Sequence, residues 1–212
     1  YDDEDFLWMK NYLQLDGMTY KLVPIKTEIP KDASPLEMGG IDTDKMYANV
    51  MKWDWGNSES LSIYHDPETR KNSITYRSYL SRLMNQLILE GKKEKAKNII
   101  TLAMNKMPLE QFGYYSLLEP FAKGYYDLGE NAKAQDLLSK LILKYKENLK
   151  YYSSLTPSDQ TSLAIDIITD IERYRSLLLV MKESGDVTFY NKNKAQFNTY
   201  VSIFERFGRE KE

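Results

Sequence analysis

Two groupings of side chains in this sequence have types and spacing that could do chemistry. Asp42-Thr43-Asp44 has the Asp-x-Asp spacing with which some sugar-nucleotide transferases hold a divalent metal. An oxygen-rich metal site needs several more ligands and a supporting shell. A helix N-cap, with the carboxylate accepting from exposed backbone amides, accounts for Asp42 by itself. The second grouping is aromatic. Trp53, Trp55, Tyr64 and His65 could form a platform for a sugar face or a peptide, or could close the core beneath a loop. Tyr114, Tyr115, Tyr125, Tyr126, Tyr151 and Tyr152 could line a groove, although several match core positions. The surface residues singled out as a possible ligand or partner site are Trp53, Trp55, Tyr64, Tyr115, Tyr126 and Tyr151.

No residue is assigned a catalytic, cofactor-binding or metal-binding role. General acid–base work needs an isolated carboxylate in apolar surroundings, and the acids here are interspersed with lysines. Lys92-Lys93-Glu94-Lys95 reads as a solvated helix face. There is no Gly-rich phosphate loop and no nucleophile elbow.

Composition narrows the classes further. The chain has 212 residues, no Cys and a single His. A disulfide framework, thiolate zinc and cysteine catalysis are therefore excluded, and an imidazole-built site is disfavoured. A chain of this size buries on the order of 70% of its unfolded surface and folds without staples. The formal net charge is −2, with no basic stripe for a phosphate backbone, so nucleic acid is not an expected partner. Apolar runs such as Leu177-Leu178-Leu179-Val180-Met181 are far shorter than the ~20 residues of a membrane helix. The chain opens at Tyr1 with no initiator Met or signal pattern, which reads as a fragment or mature form of something longer.

The elements that must position these groups follow from periodicity. Tyr1 to Asp5 is an acidic head read as solvated. Asp16-Gly17 sits between two alternating runs, Leu13 onward and Tyr20 to Val23, which predicts a hairpin with a type I′ turn. Lys26 to Gly40 reads as a loop punctuated by Pro30, Pro35 and Gly39-Gly40. A short helix is expected over 43–52, capped by Asp42. Asp66-Pro67-Glu68 opens the helical part: a cap, proline at the first helical position, and an acid suited to the positive helix end. Tyr76, Leu80, Leu83, Met84, Leu87 and Ile88 then lay one apolar stripe along a long helix.

From Arg77 to Lys146 a helix-turn-helix unit is written twice. Its turns fall at Gly91 and Gly129, and an alanine follows each by five residues, Ala96 and Ala134. The offset is the same for both pairs (129 − 91 = 38 and 134 − 96 = 38). A fixed period of roughly 20–50 residues is the mark of a stacked repeat. Pro120 requires the second outgoing helix either to start there or to kink. A third hairpin turns at Gly185-Asp186 with a longer spacing, as a terminal cap of a repeat array does. The expected organisation is an N-terminal segment over 1–65, with a β-hairpin and a short helix. A mainly α domain over 66–212 follows, with hairpins at about 67–108, 114–152 and 157–208.

Leu80, Leu83, Leu87, Gly91, Ala96, Ile100, Ala103 and Pro108 fall at the spacing of the tetratricopeptide repeat, which this stretch resembles. The second copy matches through Leu118, Phe121, Ala122, Tyr125, Gly129, Ala134 and Leu138. It departs at Leu141, where a small residue is usual, and at Lys146, where the closing proline would stand.

A second resemblance spans almost the whole chain. It rests on the run from Leu15 to Pro24, on Gly40-Ile41-Asp42-Thr43-Asp44-Lys45-Met46-Tyr47, on Trp55-Gly56-Asn57 and on Glu90-Gly91-Lys92. In that order these strings resemble the C-terminal soluble region of a Bacteroidetes multi-spanning membrane protein family of unknown function. Its membrane part is similar to glycosyltransferases of the protein O-mannosyltransferase type. The resemblance implies an extramembrane tail on the periplasmic face of the cytoplasmic membrane, with any transferase chemistry upstream. The expected function is a non-catalytic interaction or scaffolding domain holding a protein or peptide in the repeat groove. The alternative is an accessory domain that holds glycan or acceptor for the upstream part; exposed rings at Trp53, Trp55 and Tyr64 would favour it.

Overall fold

The computed structural model describes residues 7–28 and 37–208. The acidic head and the prolines at 30 and 35 lie outside the described residues. The protein is mainly α, with a small β part near the N-terminus. By its internal contacts it divides into two compact units, one ending at Leu118 and one beginning at Glu119.

In the first unit a short 3-10 turn over Leu7–Tyr12 leads into β1 (Leu13–Asp16) and β2 (Thr19–Leu22). They pair antiparallel with Asp16 opposite Thr19, so the turn residues are Gly17 and Met18. Positive φ occurs at Gly17 and at neither Asp16 nor Met18. This corrects the type I′ expectation. Positive φ at the first central position alone belongs to a type II′ turn, which Gly17 enters without a Cβ penalty. The aspartate closes β1 instead, accepting from Asn49 and Lys21.

The loop reading of Lys26 to Gly40 also needs correction at its end. Gly40–Ile41 forms β3, parallel to β1, giving the sheet order β2-β1-β3. Two residues are too short to show an alternation. Gly39 makes the pairing possible: a Cβ there would stand 2.9 Å from the Leu13 carbonyl oxygen.

The short helix α1 (Thr43–Val50) is capped by Asp42, whose carboxylate accepts from the Lys45 amide. Met46 and Val50 are buried beneath it. The long helix α2 (Pro67–Leu89) starts as its sequence dictates, with Asp66 accepting from the amides of Glu68 and Thr69. Its stripe of Leu80, Leu83, Met84 and Leu87 is fully buried against α3 (Lys93–Lys106). Sheet and α1 share this unit because Arg82 on α2 donates to the Gly39 carbonyl at 2.7 Å and to the Tyr20 hydroxyl at 3.2 Å. The contact division at Leu118 thus places the first helical hairpin with the N-terminal segment, whereas the sequence pattern sets it with the other hairpins. Past Pro108 comes α4 (Leu109–Phe112), a single turn that periodicity could not separate from loop, and then a 3-10 turn over Tyr115–Leu118.

The second unit opens with α5 (Glu119–Asp127), which resolves the Pro120 alternatives in favour of a helix start. The helix α6 (Asn131–Ser153) follows the turn, and Phe121, Ala122, Ala134 and Leu138 are completely buried. The third outgoing helix is broken at Leu163 into α7 (Pro157–Ser162), capped by Thr156, and α8 (Ala164–Glu183). α9 (Val187–Ile203) returns along α8, and α10 (Glu205–Gly208) closes the described chain.

The three helical turns are built alike. Gly91, Gly129 and Gly185 have φ of +74°, +77° and +77°. In each, the glycine amide donates three residues back and the next amide five back, as in Lys92 to Leu87, Glu130 to Tyr125 and Asp186 to Met181. This pair of bonds is the Schellman closure of a helix end.

One ionic cluster fastens α1 to the start of α3. Lys92 Nζ reaches Asp44 at 2.8 Å and Glu90 at 2.9 Å, and Lys95 reaches Asp44 at 2.6 Å. These lysine hydrogen bonds hold the Asp44 carboxyl down at about 2, from an ordinary 3.8. A carboxylate depressed on folding stabilises the fold above its unfolded pKa and loses that contribution as pH falls through the folded one. Acid should therefore weaken this unit between about pH 4 and pH 2, and Asp44→Asn should flatten the loss. Urea midpoints of both proteins near neutrality and near pH 2 test this; equal acid losses would refute it. Because the pair is solvent-facing, added salt should reduce the difference between wild type and variant.

Candidate functional site

The residues from Asp54 to His65 form a strap across the end of α3. Trp55 stands near its head, and three contacts tie the strap to α3 and α4 while a fourth closes it on itself. Ser58 Oγ donates to the Lys106 carbonyl at 2.7 Å, and Glu59 pairs with Lys106. Gln111 Nε2 donates to the Ser60 carbonyl at 2.7 Å, and the His65 ring nitrogen Nε2 lies 2.8 Å from the Ser58 carbonyl. The turn at the head of the strap is local chemistry: Asp54 accepts from the Gly56 amide at 2.9 Å, and Asn57 takes a left-handed conformation. Asn tolerates that region better than most side chains.

Between strap and helix lies a cleft of about 250 Å³. Asp54, Trp55, Gly56, Ser58 and His65 form one wall, and Thr69, Asn72, Ser73 and Tyr76 of α2 the other. Met107 and Phe112 complete the lining. The aromatic wall is close-packed. Trp55 meets Tyr76 at 5.4 Å between ring centroids, Trp53 meets Tyr76 edge-on at 5.4 Å, and Trp53 meets Trp55 at 5.6 Å. His65 lies over Phe112 at 4.6 Å. Behind this cluster the hairpin turn comes so near that a Cβ on Gly17 would stand 3.2 Å from the Trp53 ring.

Several polar groups of the lining are already engaged. Thr69 donates to Asp66, Ser73 to the Arg70 carbonyl, and Ser58 to Lys106. Among the described residues, the Asn72 amide, the Tyr76 hydroxyl and one Asp54 oxygen have no protein partner. The Trp55 indole N–H is shielded from solvent and likewise finds no acceptor. An unsatisfied buried donor costs about 1–3 kcal/mol, which makes it a feature to explain.

Under this cleft Arg77 is completely buried. Its guanidinium donates to the carbonyls of Met107 at 2.8 Å, of Gly113, and of Tyr114 at 3.4 Å. Burial lowers its pKa to about 10, so it stays charged at neutral pH. It holds together the exit of α3 and the left-handed pair Gly113-Tyr114.

The structure distributes the residues singled out from sequence as follows. Trp53 and Trp55 come together and are half-buried, so the rings are neither sealed nor free. Tyr64 stands away from them, 83% exposed, and does not line the cleft. Tyr115 is half-buried in its 3-10 turn. Tyr126 donates to Asp186 at 2.8 Å, joining Gln135 there and bracing the α9 cap. Tyr151 is 58% exposed and leans on Tyr152. Asp42 is a cap and Asp44 is held by two lysines, so neither carboxylate of the Asp-x-Asp string is free. Sequence reasoning missed Asn72, Tyr76 as a cleft wall, and Asp54. A signal was present: Thr69, Asn72, Ser73 and Tyr76 fall at i, i+3, i+4 and i+7, which is one helix face, and that face is polar beside a buried stripe.

Residues 1–45 match the family model described as TMEM260-associated domain 2, which fits a membrane-protein-associated domain. The match covers the β-hairpin, β3 and the start of α1, and ends before the cleft residues. No curated protein and no solved structure matches the chain. No described helix is long and apolar enough to cross a membrane.

Proposed function

We propose that this chain is a non-catalytic interaction domain carried by a membrane protein, and that it engages its partner through the Trp55–Tyr76 cleft. The observation that carries the reading is the cleft itself: a preformed aromatic wall beside polar groups that the fold leaves free. Small-ligand and peptide sites share that make-up, apolar walls with a few placed polar groups. The carboxylates that a transferase reading would need are committed to capping and ion pairs. The membrane setting draws on the TMEM260-associated match, and the reading of a domain on the extracytoplasmic face draws on the resemblance to a glycosyltransferase-like membrane family. The tetratricopeptide-like reading draws on the two Gly-turned hairpins, where Ala96 and Ala134 are buried at the same offset. In that reading the helical surface around Tyr151 is a further partner surface.

The test is retention from a detergent-solubilised envelope fraction by the immobilised domain. Wild type should retain a partner, and Trp55→Ala should lose it. A partner kept by Trp55→Ala and lost by Tyr151→Ala would move the binding surface to the second unit. If wild type retains nothing, the interaction reading fails.

A further inference from the structure

The geometry points to a single uncharged pyranose ring as the ligand of the Trp55–Tyr76 cleft, an inference that rests on the binding reading above. Size sets the first limit. About 250 Å³ lies below the several hundred Å³ of a drug-sized pocket and suits one six-membered ring rather than a length of peptide. Charge sets the second. Among the described residues no Lys or Arg lines the cleft and Asp54 does, so phosphate, sulfate and nucleotide ligands meet a repelling carboxylate with no lysine or arginine to offset it.

Ring geometry excludes the remaining obvious class, an organic cation in an aromatic cage. A cage needs faces arranged around empty space. Here the lining rings pair off, Trp55 with Tyr76 at 5.4 Å and His65 with Phe112 at 4.6 Å, so Trp55 and Tyr76, backed by Trp53, present a wall. A wall of that kind suits the C–H face of a sugar. The free polar groups match its hydroxyls. Asn72 offers both donor and acceptor, Asp54 an acceptor, and Tyr76 a hydroxyl. Hydroxyl-rich ligands need such mixed sets because every hydroxyl both donates and accepts.

The experiment is a titration of the intact chain, followed through the Trp55 indole N–H resonance by NMR. Its probes are the methyl glycosides of mannose, glucose and N-acetylglucosamine, with tetramethylammonium and a pool of short uncharged peptides as the contrasting arms. At least one glycoside should shift the resonance with a dissociation constant on the order of 1 mM. Trp55→Ala also removes packing against Trp53 and Tyr76, so the deciding variant is Asn72→Ala on the exposed helix face. It should weaken glycoside binding by about 2–10-fold, the loss of one neutral hydrogen bond, with unchanged melting. If peptides or the ammonium shift the resonance and no glycoside does, the pyranose assignment is wrong while the binding reading stands. If no probe of any arm shifts it and the envelope fraction yields no Trp55-dependent partner, both fall.

Discussion

Arg77→Ala should destabilise the first unit by about 3–5 kcal/mol, a range that belongs to removing one partner of a buried charged interaction. The side chain is completely buried and supplies three backbone carbonyls with their donors. Truncation takes the donor away from the carbonyls of Met107, Gly113 and Tyr114, of which the bond to Met107 is buried, and opens a cavity of guanidinium size. It also releases a backbone that has reason to move. Tyr114 sits at φ +48°, where a residue with a Cβ is held at a cost of roughly 1–2 kcal/mol. Arg77→Lys should recover only a minor part, because an ammonium is a point donor and cannot reach carbonyls on both sides of a planar fork. Urea denaturation of wild type and both variants, followed by tryptophan fluorescence, measures this directly. The tryptophans all lie in the first unit, so the signal reports there. A loss under about 1 kcal/mol would mean that water replaces the guanidinium at those carbonyls. Because Met107 and Phe112 line the cleft, the proposed ligand binding should fall along with stability.

The second large effect is expected from adding volume. Ala96 is completely buried on α3, the helix that packs along α2, with Ile99, Ile100 and Ala103 around it. Two helices approach to about 8–10 Å only where a small side chain meets the partner. Ala96→Leu introduces three carbon atoms where the backbones are near, and the core cannot absorb them without shifted rotamers or a displaced helix. The expected cost is roughly 1–3 kcal/mol. Ala96→Ser, nearly the same size, should cost less, through a poorly satisfied hydroxyl. Thermal melting of the two variants separates the causes. An unchanged melting temperature for Ala96→Leu would show that the interface has room.

Much of the helical layout was legible because its signals are local. Caps at Asp42, Asp66 and Thr156, prolines at first helical positions, and glycines after the last turns each act within a few residues, so they stand in the sequence as they stand in the fold. The apolar stripes could be read for the same reason: a face that must be buried repeats every three to four residues. Errors gathered where a contact from far along the chain decides. The turn at Gly17 differs from the expected type because Asp16 is needed as the last strand residue, accepting from Asn49. β3 exists because Gly39 lets the chain approach Leu13, which no property of Gly40-Ile41 announces.

The candidate site divides along the same line. Trp53 and Trp55 stand out from sequence as aromatic residues in a polar loop. Tyr64, eleven residues beyond Trp53, looked equivalent and faces solvent instead. Tyr126 looked like a surface ring, and its hydroxyl braces a helix cap sixty residues later.

By itself the sequence determined the class of the fold, the ends of most helices and the pattern of their buried faces, because caps, turn glycines and apolar stripes act through neighbouring residues. Tertiary structure alone decided that Trp55 meets Tyr76, that Asn72 and Asp54 flank one cleft, and that Arg77 lies buried beneath it. These residues come from the strap and from α2, and the hydrogen bonds that hold those segments in place span 30 or more positions. Such contacts depend on how faces dock, and docking is set by the shape of the whole packed unit rather than by any window of the chain.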